Sequence, residues 1–188
     1  PPVISAFNFD ENLVEGQRAS ITCNVMSGDL PIDIVWLKDF QSIPSFLNIT
    51  KERVKFLSYL IFEELRNEHS GVYTCSASNA AATANYSATL TVKVPPKWIH
   101  EPQDGRVILR SDHVLACEAS GVPKPSIKWY REVGVMKSEI KTDRKFELGE
   151  DGSCRVRNVE STDAGSYTCD AINGVGNGLS KSIRLDVN

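Results

Sequence analysis

The chain of 188 residues lacks the features that mark enzymes and metalloproteins. It has only 3 histidines, and the spacing of His69, His100 and His113 brings them to no shared metal site. It contains no glycine-rich phosphate loop, no HExxH motif and no nucleophile elbow. We therefore expect no enzyme activity, no metal, no cofactor and no small-molecule substrate.

Excess positive charge and long apolar runs are also lacking. The formal net charge of -3 offers no basic surface to a polyanion, so we expect no nucleic-acid partner. No apolar run approaches the roughly 18 residues that a membrane-spanning helix needs. Any membrane attachment is therefore expected only through parts of a full-length protein outside this sequence.

Two copies of one pattern fill the chain. Four landmarks recur at an offset of 93 or 94 residues: Cys23 as Cys117, Trp36 as Trp129, Tyr73 as Tyr167, and Cys75 as Cys169. A Cys, Trp, Cys series with a Tyr two residues before the second Cys is typical of an immunoglobulin sandwich. The sequence therefore predicts an all-β protein of two tandem immunoglobulin-like sandwiches, residues 1–94 and 95–188, joined by a short Pro-Pro linker at Pro95 and Pro96.

The repeat also predicts how the cysteines are used. Cys23 with Cys75 and Cys117 with Cys169 are each 52 residues apart, and we expect two structural disulfide bonds. Closing loops of this length stabilises a domain by roughly 4 kcal/mol in the chain-entropy model. Paired cysteines favour an oxidising, extracellular location.

Cys154 has no partner in this scheme. It lies 15 residues before Cys169, as Leu60 lies before Cys75, and Leu60 is an inward position of the predicted strand E. Cys154 is therefore expected to be a buried free thiol, and an intermolecular disulfide is the alternative.

Two sequons predict N-glycosylation at Asn48 and Asn85. Asn85 alternates with Tyr86 and Ala88, which are expected to point inward, so it should face outward on strand G. A glycan there would cover the CFG face of the first domain.

The opposite face of the first domain carries the candidate binding residues. If Leu60 and Phe62 point inward, their neighbours on strand E point outward, with further residues from strands B and D beside them. Exposed apolar clusters rimmed by polar residues often mark protein interfaces. A register error at the D–E turn is the alternative, and it would turn these residues inward. The predicted interface residues are Ser20, Thr22, Lys55, Leu57, Tyr59, Ile61 and Glu63.

Several motifs resemble a known family. The stretches 121–125 (GVPKP) and 163–169 (DAGSYTC) are similar to I-set immunoglobulin domains of cell-adhesion molecules. The stretches 28–36 (GDLPIDIVW), 94–98 (VPPKW) and 169–176 (CDAINGVG) resemble arthropod Dscam (Down syndrome cell adhesion molecule) proteins, in particular their seventh and eighth domains or the first two domains of shortened Dscam forms.

This resemblance implies a cell-surface ectodomain of a single-pass membrane protein. It implies isoform-specific homophilic binding, in which the ABED face of the first domain pairs antiparallel with an identical copy on an opposing cell. A heterophilic receptor module that binds a protein ligand and an intracellular structural tandem are the alternatives. The family pattern also leads us to expect Asp163 to pair with Arg144, and Glu68 to lie opposite Arg53 in the first domain.

Overall fold

The computed structural model describes residues 1–188. The chain divides into two compact units, Pro1–Lys93 and Val94–Asn188, and each is built from strands. Three short 3₁₀ turns are present, at Ser45–Leu47, Asn67–His69 and Ser161–Asp163. No helix has the length and apolar character needed to cross a membrane.

The first unit is a sandwich of two four-stranded sheets. One sheet has the order β1-β2-β6-β5, which corresponds to strands A, B, E and D, and the other has the order β4-β3-β7-β8, which corresponds to C′, C, F and G. The strands are β1 (Val3–Ile4), β2 (Ala19–Ser27), β3 (Asp33–Lys38), β4 (Gln41–Ser42), β5 (Thr50–Val54), β6 (Leu57–Phe62), β7 (Gly71–Ser78) and β8 (Thr83–Leu90).

The core of the first unit follows from side-chain alternation along its strands. In β2, Ile21 and Cys23 are buried while Thr22 between them is only partly covered, as expected for a strand with one face on the core. Cys23 forms its predicted disulfide bond with Cys75. The indole of Trp36, which is buried in the same core, donates a hydrogen bond of 2.9 Å to the Ser58 hydroxyl.

The second unit repeats this plan with its strand B in two pieces. Its sheets have the orders β10-β18-β17-β13-β14, β11-β16-β15 and β12-β9. The strands are β9 (Val94–His100), β10 (Gly105–Val107), β11 (His113–Leu115), β12 (Glu118–Val122), β13 (Ser126–Val133), β14 (Met136–Glu139), β15 (Phe146–Leu148), β16 (Cys154–Val156), β17 (Gly165–Ile172) and β18 (Leu179–Val187).

The turn between β15 and β16 explains the interruption of strand B. Gly152 in this turn packs so close to strand B that an added Cβ would lie 2.1 Å from the Cys117 carbonyl oxygen. The Gly152 carbonyl also accepts a hydrogen bond of 2.7 Å from the Trp129 indole. Only glycine fits here, and the turn takes the space in which strand E pairs with strand B in the first unit. Cys117 nevertheless forms its predicted disulfide bond with Cys169.

The Pro-Pro segment is part of a strand of the second unit. Pro95 and Pro96 lie inside β9, which begins at Val94, whereas the sequence predicts a linker at this point. The register between β9 and β12 shifts beside these residues. Proline, which has no backbone N–H to donate, is tolerated at such irregularities in strands that lie at a sheet edge.

Asp163 pairs with Lys145 and not with the adjacent Arg144, so the expected pairing is wrong. Its buried carboxylate contacts the Lys145 ammonium at 2.9 Å and the Arg131 guanidinium at 3.6 Å, and it accepts a hydrogen bond from the Glu160 N–H. Arg144 takes no part, because the side chain that reaches the corner before strand F comes from the residue immediately before β15.

His69 replaces this charged cluster in the first unit. The buried imidazole accepts a hydrogen bond of 2.8 Å from the Arg66 N–H at Nδ1 and donates one of 2.7 Å from Nε2 to the Leu47 carbonyl. The expected pairing of Glu68 with Arg53 is also wrong. The Glu68 carboxylate instead forms an ion pair with Arg66, with 3.6 Å between Oε2 and Nε. Arg53 instead donates to the Ile32 carbonyl.

Candidate functional site

The outer face of the first ABED sheet presents nine side chains in three cross-strand rows, which we call the nine-residue patch. Each row runs from β2 through β6 to β5, and paired residues of neighbouring antiparallel strands project on the same side of the sheet. The rows are Ser20, Ile61 and Thr50; Thr22, Tyr59 and Glu52; and Asn24, Leu57 and Val54.

The middle column of the patch is apolar and lies open to one side. Leu57, Tyr59 and Ile61 are half-buried, whereas the residues that alternate with them along β6 are buried. Val54 at the edge is 54% exposed. Glu52 is the single charged residue among the nine, so little desolvation opposes covering this face with another protein.

The register of β6 is as the alternation predicts. Ser58, Leu60 and Phe62 are buried, and the residues between them face outward. The predicted residues Ser20, Thr22, Leu57, Tyr59 and Ile61 therefore lie together on one surface.

Two predicted interface residues lie outside the patch. Lys55 was expected on strand D, but β5 ends at Val54 and Lys55 forms the tight turn to β6 with a φ of 55°. Leu57 was also expected on strand D; it lies in the patch, but as the first residue of β6. Glu63 was expected on strand E, but β6 ends at Phe62 and Glu63 follows it as an exposed bend residue.

Sequence reasoning missed four residues of the patch, Asn24, Thr50, Glu52 and Val54. Asn24 could have been found by extending the alternation of Ser20 and Thr22 by one step. The three β5 residues gave no such signal, because all five residues of β5 are exposed and show no burial alternation.

The free edge of β5 is protected from further strand pairing. Lys51 and Arg53 pair with inward positions of β6, so they point to the inner side of the sheet at its edge. The Arg53 guanidinium reaches the segment just before β3, where it donates to the Ile32 carbonyl at 2.5 Å. Inward charges on an edge strand disfavour the addition of another strand, so the face of this sheet is better suited to binding than its edge.

The CFG face of the first unit is more polar than the nine-residue patch. Its central row contains Val35, Ser76 and the sequon residue Asn85, which is exposed as expected. Thr74 and Ser87 bond to each other across neighbouring strands at 2.7 Å. Because these hydroxyls already bond to each other, they have less hydrogen-bonding capacity left for another protein.

The corresponding ABED face of the second unit is charged. Its outward row contains Val114, Arg155 and Glu147. Arg155 Nη1 lies 3.5 Å from Asp112 Oδ2, and Glu147 forms an ion pair with Arg157. The apolar column of the first unit therefore has no counterpart in the second.

The remaining predicted sites lie away from the patch or at its margin. Asn48 is exposed and adopts a left-handed conformation two residues before the start of β5. Cys154 is fully buried in the second core, opposite Leu115 and Leu148. Its burial, with a smaller effect of the Asp143 carboxylate, raises the pKa of the Cys154 thiol to about 12.

Comparison with known proteins identifies the fold family of both units. A model of the immunoglobulin domain matches residues 1–79, and a model of the immunoglobulin I-set domain matches residues 96–187. The chain belongs to the immunoglobulin superfamily. Within this superfamily, the resemblance to Dscam proteins is confirmed over the whole chain.

Curated relatives include Dscam proteins of insects and vertebrates. The chain is 41% identical over 192 residues to the cell adhesion molecule Dscam2 of Drosophila melanogaster. It is 38% identical over 190 residues to the cell adhesion molecule DSCAM of Homo sapiens. Each alignment covers 100% of this chain and 9% of the relative. These relatives are cell adhesion molecules, a family without enzymatic activity.

Solved structures agree with this assignment. The crystal structure of the N-terminal eight immunoglobulin domains of DSCAM isoform 1.30.30 matches with a TM-score of 0.75 and 38% identity, covering 100% of this chain and 25% of that chain. A titin I-band fragment, I67–I69, matches with a TM-score of 0.62 and 29% identity, covering 100% of this chain and 65% of that one. Backbone similarity therefore extends beyond adhesion molecules and does not by itself assign a function.

Proposed function

We propose that this chain is an extracellular cell-adhesion module that binds an identical copy of itself through the nine-residue patch. The observation that carries the proposal is the apolar column Leu57, Tyr59 and Ile61, which lies open in the middle of a sheet face with one charged residue. Its relatives are named cell adhesion molecules, which supports a protein partner over any small ligand.

The arrangement of the patch suits pairing with itself. In a two-fold symmetric interface both partners use the same surface. Leu57 and Ile61 each lie two residues from Tyr59 along β6, on opposite sides of it. A two-fold axis that passes Tyr59 parallel to the sheet and perpendicular to β6 places Ile61 of each copy against Leu57 of the other. The two Tyr59 rings then meet at the centre, in an antiparallel dimer with an apolar middle and a polar rim.

The same geometry gives a basis for isoform specificity. Each residue of the patch meets itself or a nearby residue of the identical copy, so a substitution in one isoform is matched in its own dimer and mismatched in a mixed one. A new charge opposed by a like charge or by an apolar residue costs several kcal/mol in such an interface.

The predicted glycan at Asn85 supports the choice of face. Asn85 lies in the central row of the CFG face, where a glycan would cover that surface, and the ABED face has no sequon asparagine on its strands. Glycosylation at Asn48 and Asn85 belongs to the proposal, as does location on the cell surface in a single-pass membrane protein.

Aggregation of coated beads tests the proposal. Beads in two colours that both carry this chain should form mixed aggregates, whereas a heterophilic module would leave them dispersed. Ile61→Asp should abolish aggregation because it places a charge in the apolar column. Val35→Asp on the opposite sheet is the matched control, since it also adds a charge at an outward strand position, and aggregation should persist. Equal loss in both variants would refute the assignment of the face.

The contribution of the second unit can be tested in the same assay. Val114→Asp changes the only apolar residue in the outward row of its ABED sheet. We expect this variant to aggregate like the unchanged protein, because ion pairs already occupy that face. Loss of aggregation would move the interface to the second unit.

A further inference from the structure

The turn between β17 and β18 contains two asparagine–glycine pairs in very different surroundings. Asn173 precedes Gly174 at the start of the turn, and Asn177 precedes Gly178 at its end. An asparagine followed by glycine is the pair most prone to losing its side-chain amide, because glycine has no Cβ to obstruct attack by its own backbone nitrogen. The structure restrains the side chain of one of these asparagines and leaves that of the other unrestrained.

Asn173 is held by hydrogen bonds at both ends of its amide. Its Nδ2 donates to the Val94 carbonyl at 2.8 Å and to the Pro123 carbonyl at 2.9 Å. Its Oδ1 accepts from the Val175 N–H at 3.0 Å. The side chain is also partly buried. Rotating this amide toward the Gly174 nitrogen would break all of these bonds.

Asn177 has none of these restraints. It is exposed near the end of the turn, and its side chain makes no hydrogen bond. Gly178 follows with a φ of 78°, a left-handed conformation that favours glycine and keeps the position free of a side chain. The Asn177 amide is therefore free to sample the orientation in which its carbon meets the next backbone nitrogen.

We propose that Asn177 is a site of deamidation in the folded protein. The Gly178 nitrogen attacks the side-chain carbonyl carbon of Asn177, a new C–N bond closes a succinimide, and the bond to the amide nitrogen breaks with release of ammonia. Water then opens the succinimide to aspartate or isoaspartate. Either product adds one negative charge to the turn, and isoaspartate also lengthens its main chain by one methylene.

The hydrogen bonds of Asn173 predict how selective this reaction is. Each bond must be broken before attack, so we expect Asn173 to react roughly 100-fold more slowly than Asn177, which corresponds to about 2.7 kcal/mol in activation free energy. In the unfolded chain both asparagines precede glycine without restraint, and their rates should be similar.

Peptide mapping by mass spectrometry tests the proposal on the intact chain. The folded protein is incubated at physiological pH and temperature, and a reduced and denatured sample is incubated beside it. We expect acid and isoaspartate products at Asn177 alone in the folded sample and at both asparagines in the denatured one. Asn177→Gln should remove the isoaspartate signal from the folded sample without changing its thermal stability.

Two results would overturn the inference. One is an intact Asn177 in the folded protein over a period in which it reacts in the denatured chain. The other is reaction of Asn173 and Asn177 at similar rates in the folded state. Either result would mean that the backbone of the turn, and not the freedom of the side chain, sets the rate.

Discussion

Replacing either corner tyrosine with phenylalanine removes one buried hydroxyl and leaves the ring in place. Tyr73 donates to the His69 carbonyl and Tyr167 to the Asp163 carbonyl, each at 2.6 Å, and both tyrosines are 0% exposed. Phenylalanine leaves a buried carbonyl without its donor. An unsatisfied buried group of this kind costs about 1–3 kcal/mol. For a domain of this size we expect the melting temperature of the affected unit to fall by about 5–15 °C.

The same phenols predict an alkaline transition. Burial raises the pKa of Tyr167 from 10.0 to about 12, although the nearby Arg131 charge opposes this rise, and burial raises the pKa of Tyr73 further still. The folded protein therefore binds these protons more tightly than the unfolded chain. This contribution to stability is fully present below a pH of about 10 and is lost as the pH rises toward about 12.

Urea unfolding of the full chain measures these effects, with hydrogen-exchange mass spectrometry to show which unit has changed. Tyr73→Phe should lower protection in the first unit and Tyr167→Phe in the second. Both variants should also show a weaker loss of stability at alkaline pH. If either variant stays within about 0.5 kcal/mol of the unchanged protein, the corner hydrogen bond does not have the role assigned to it.

Three further predictions concern single sites. Cys154 should resist alkylation until the second unit unfolds, because its thiol is buried, and rapid labelling of the native protein would contradict its placement. Asp163→Asn should destabilise the second unit by about 2–3 kcal/mol in thermal unfolding, because Lys145 loses its buried partner, and no change would show that this ion pair is dispensable. A chain secreted from eukaryotic cells should gain electrophoretic mobility after treatment with peptide N-glycosidase. The double variant Asn48→Gln, Asn85→Gln should not show this shift. An unchanged mobility of the unsubstituted chain would show that the sequons are unused.

The spacing of cysteines, tryptophans and tyrosines was sufficient to predict the fold. Cys23 and Cys117 each lie 52 residues before their partners, and this interval positions strands B, C, E and F of each unit. Counting back from the second cysteine also places Leu60 and Cys154 correctly in the two cores. These predictions succeed because core positions repeat with the two-residue period of a strand, which a sequence displays directly.

Strand D could not be read in the same way. The residues of β5 lie at a sheet edge and are all exposed, so no alternation between apolar and polar residues records their register. The turn that follows places Lys55 at a positive φ without the Gly or Asn that usually marks such a turn. The position of Lys55 was therefore predicted wrongly, and Glu52 and Val54 were missed.

The partners in long-range ion pairs could not be predicted from the sequence either. Asp163 takes its partners from β13 and from Lys145, the residue before β15, where the sequence predicts the adjacent Arg144. Direction at the end of an exposed strand depends on the local turn, here on the Asp143 carboxylate that accepts from the Lys145 and Phe146 N–H groups. Such a turn is fixed by tertiary structure and leaves little trace in local sequence.

Analytical ultracentrifugation of the full chain tests the central claim most directly. The unchanged protein should show a reversible monomer–dimer equilibrium that shifts with concentration. Ile61→Asp should sediment as a monomer at every concentration, while Val35→Asp should dimerise like the unchanged protein. A monomeric unchanged chain, or a dimer that survives Ile61→Asp, would contradict self-recognition through the ABED face of the first unit.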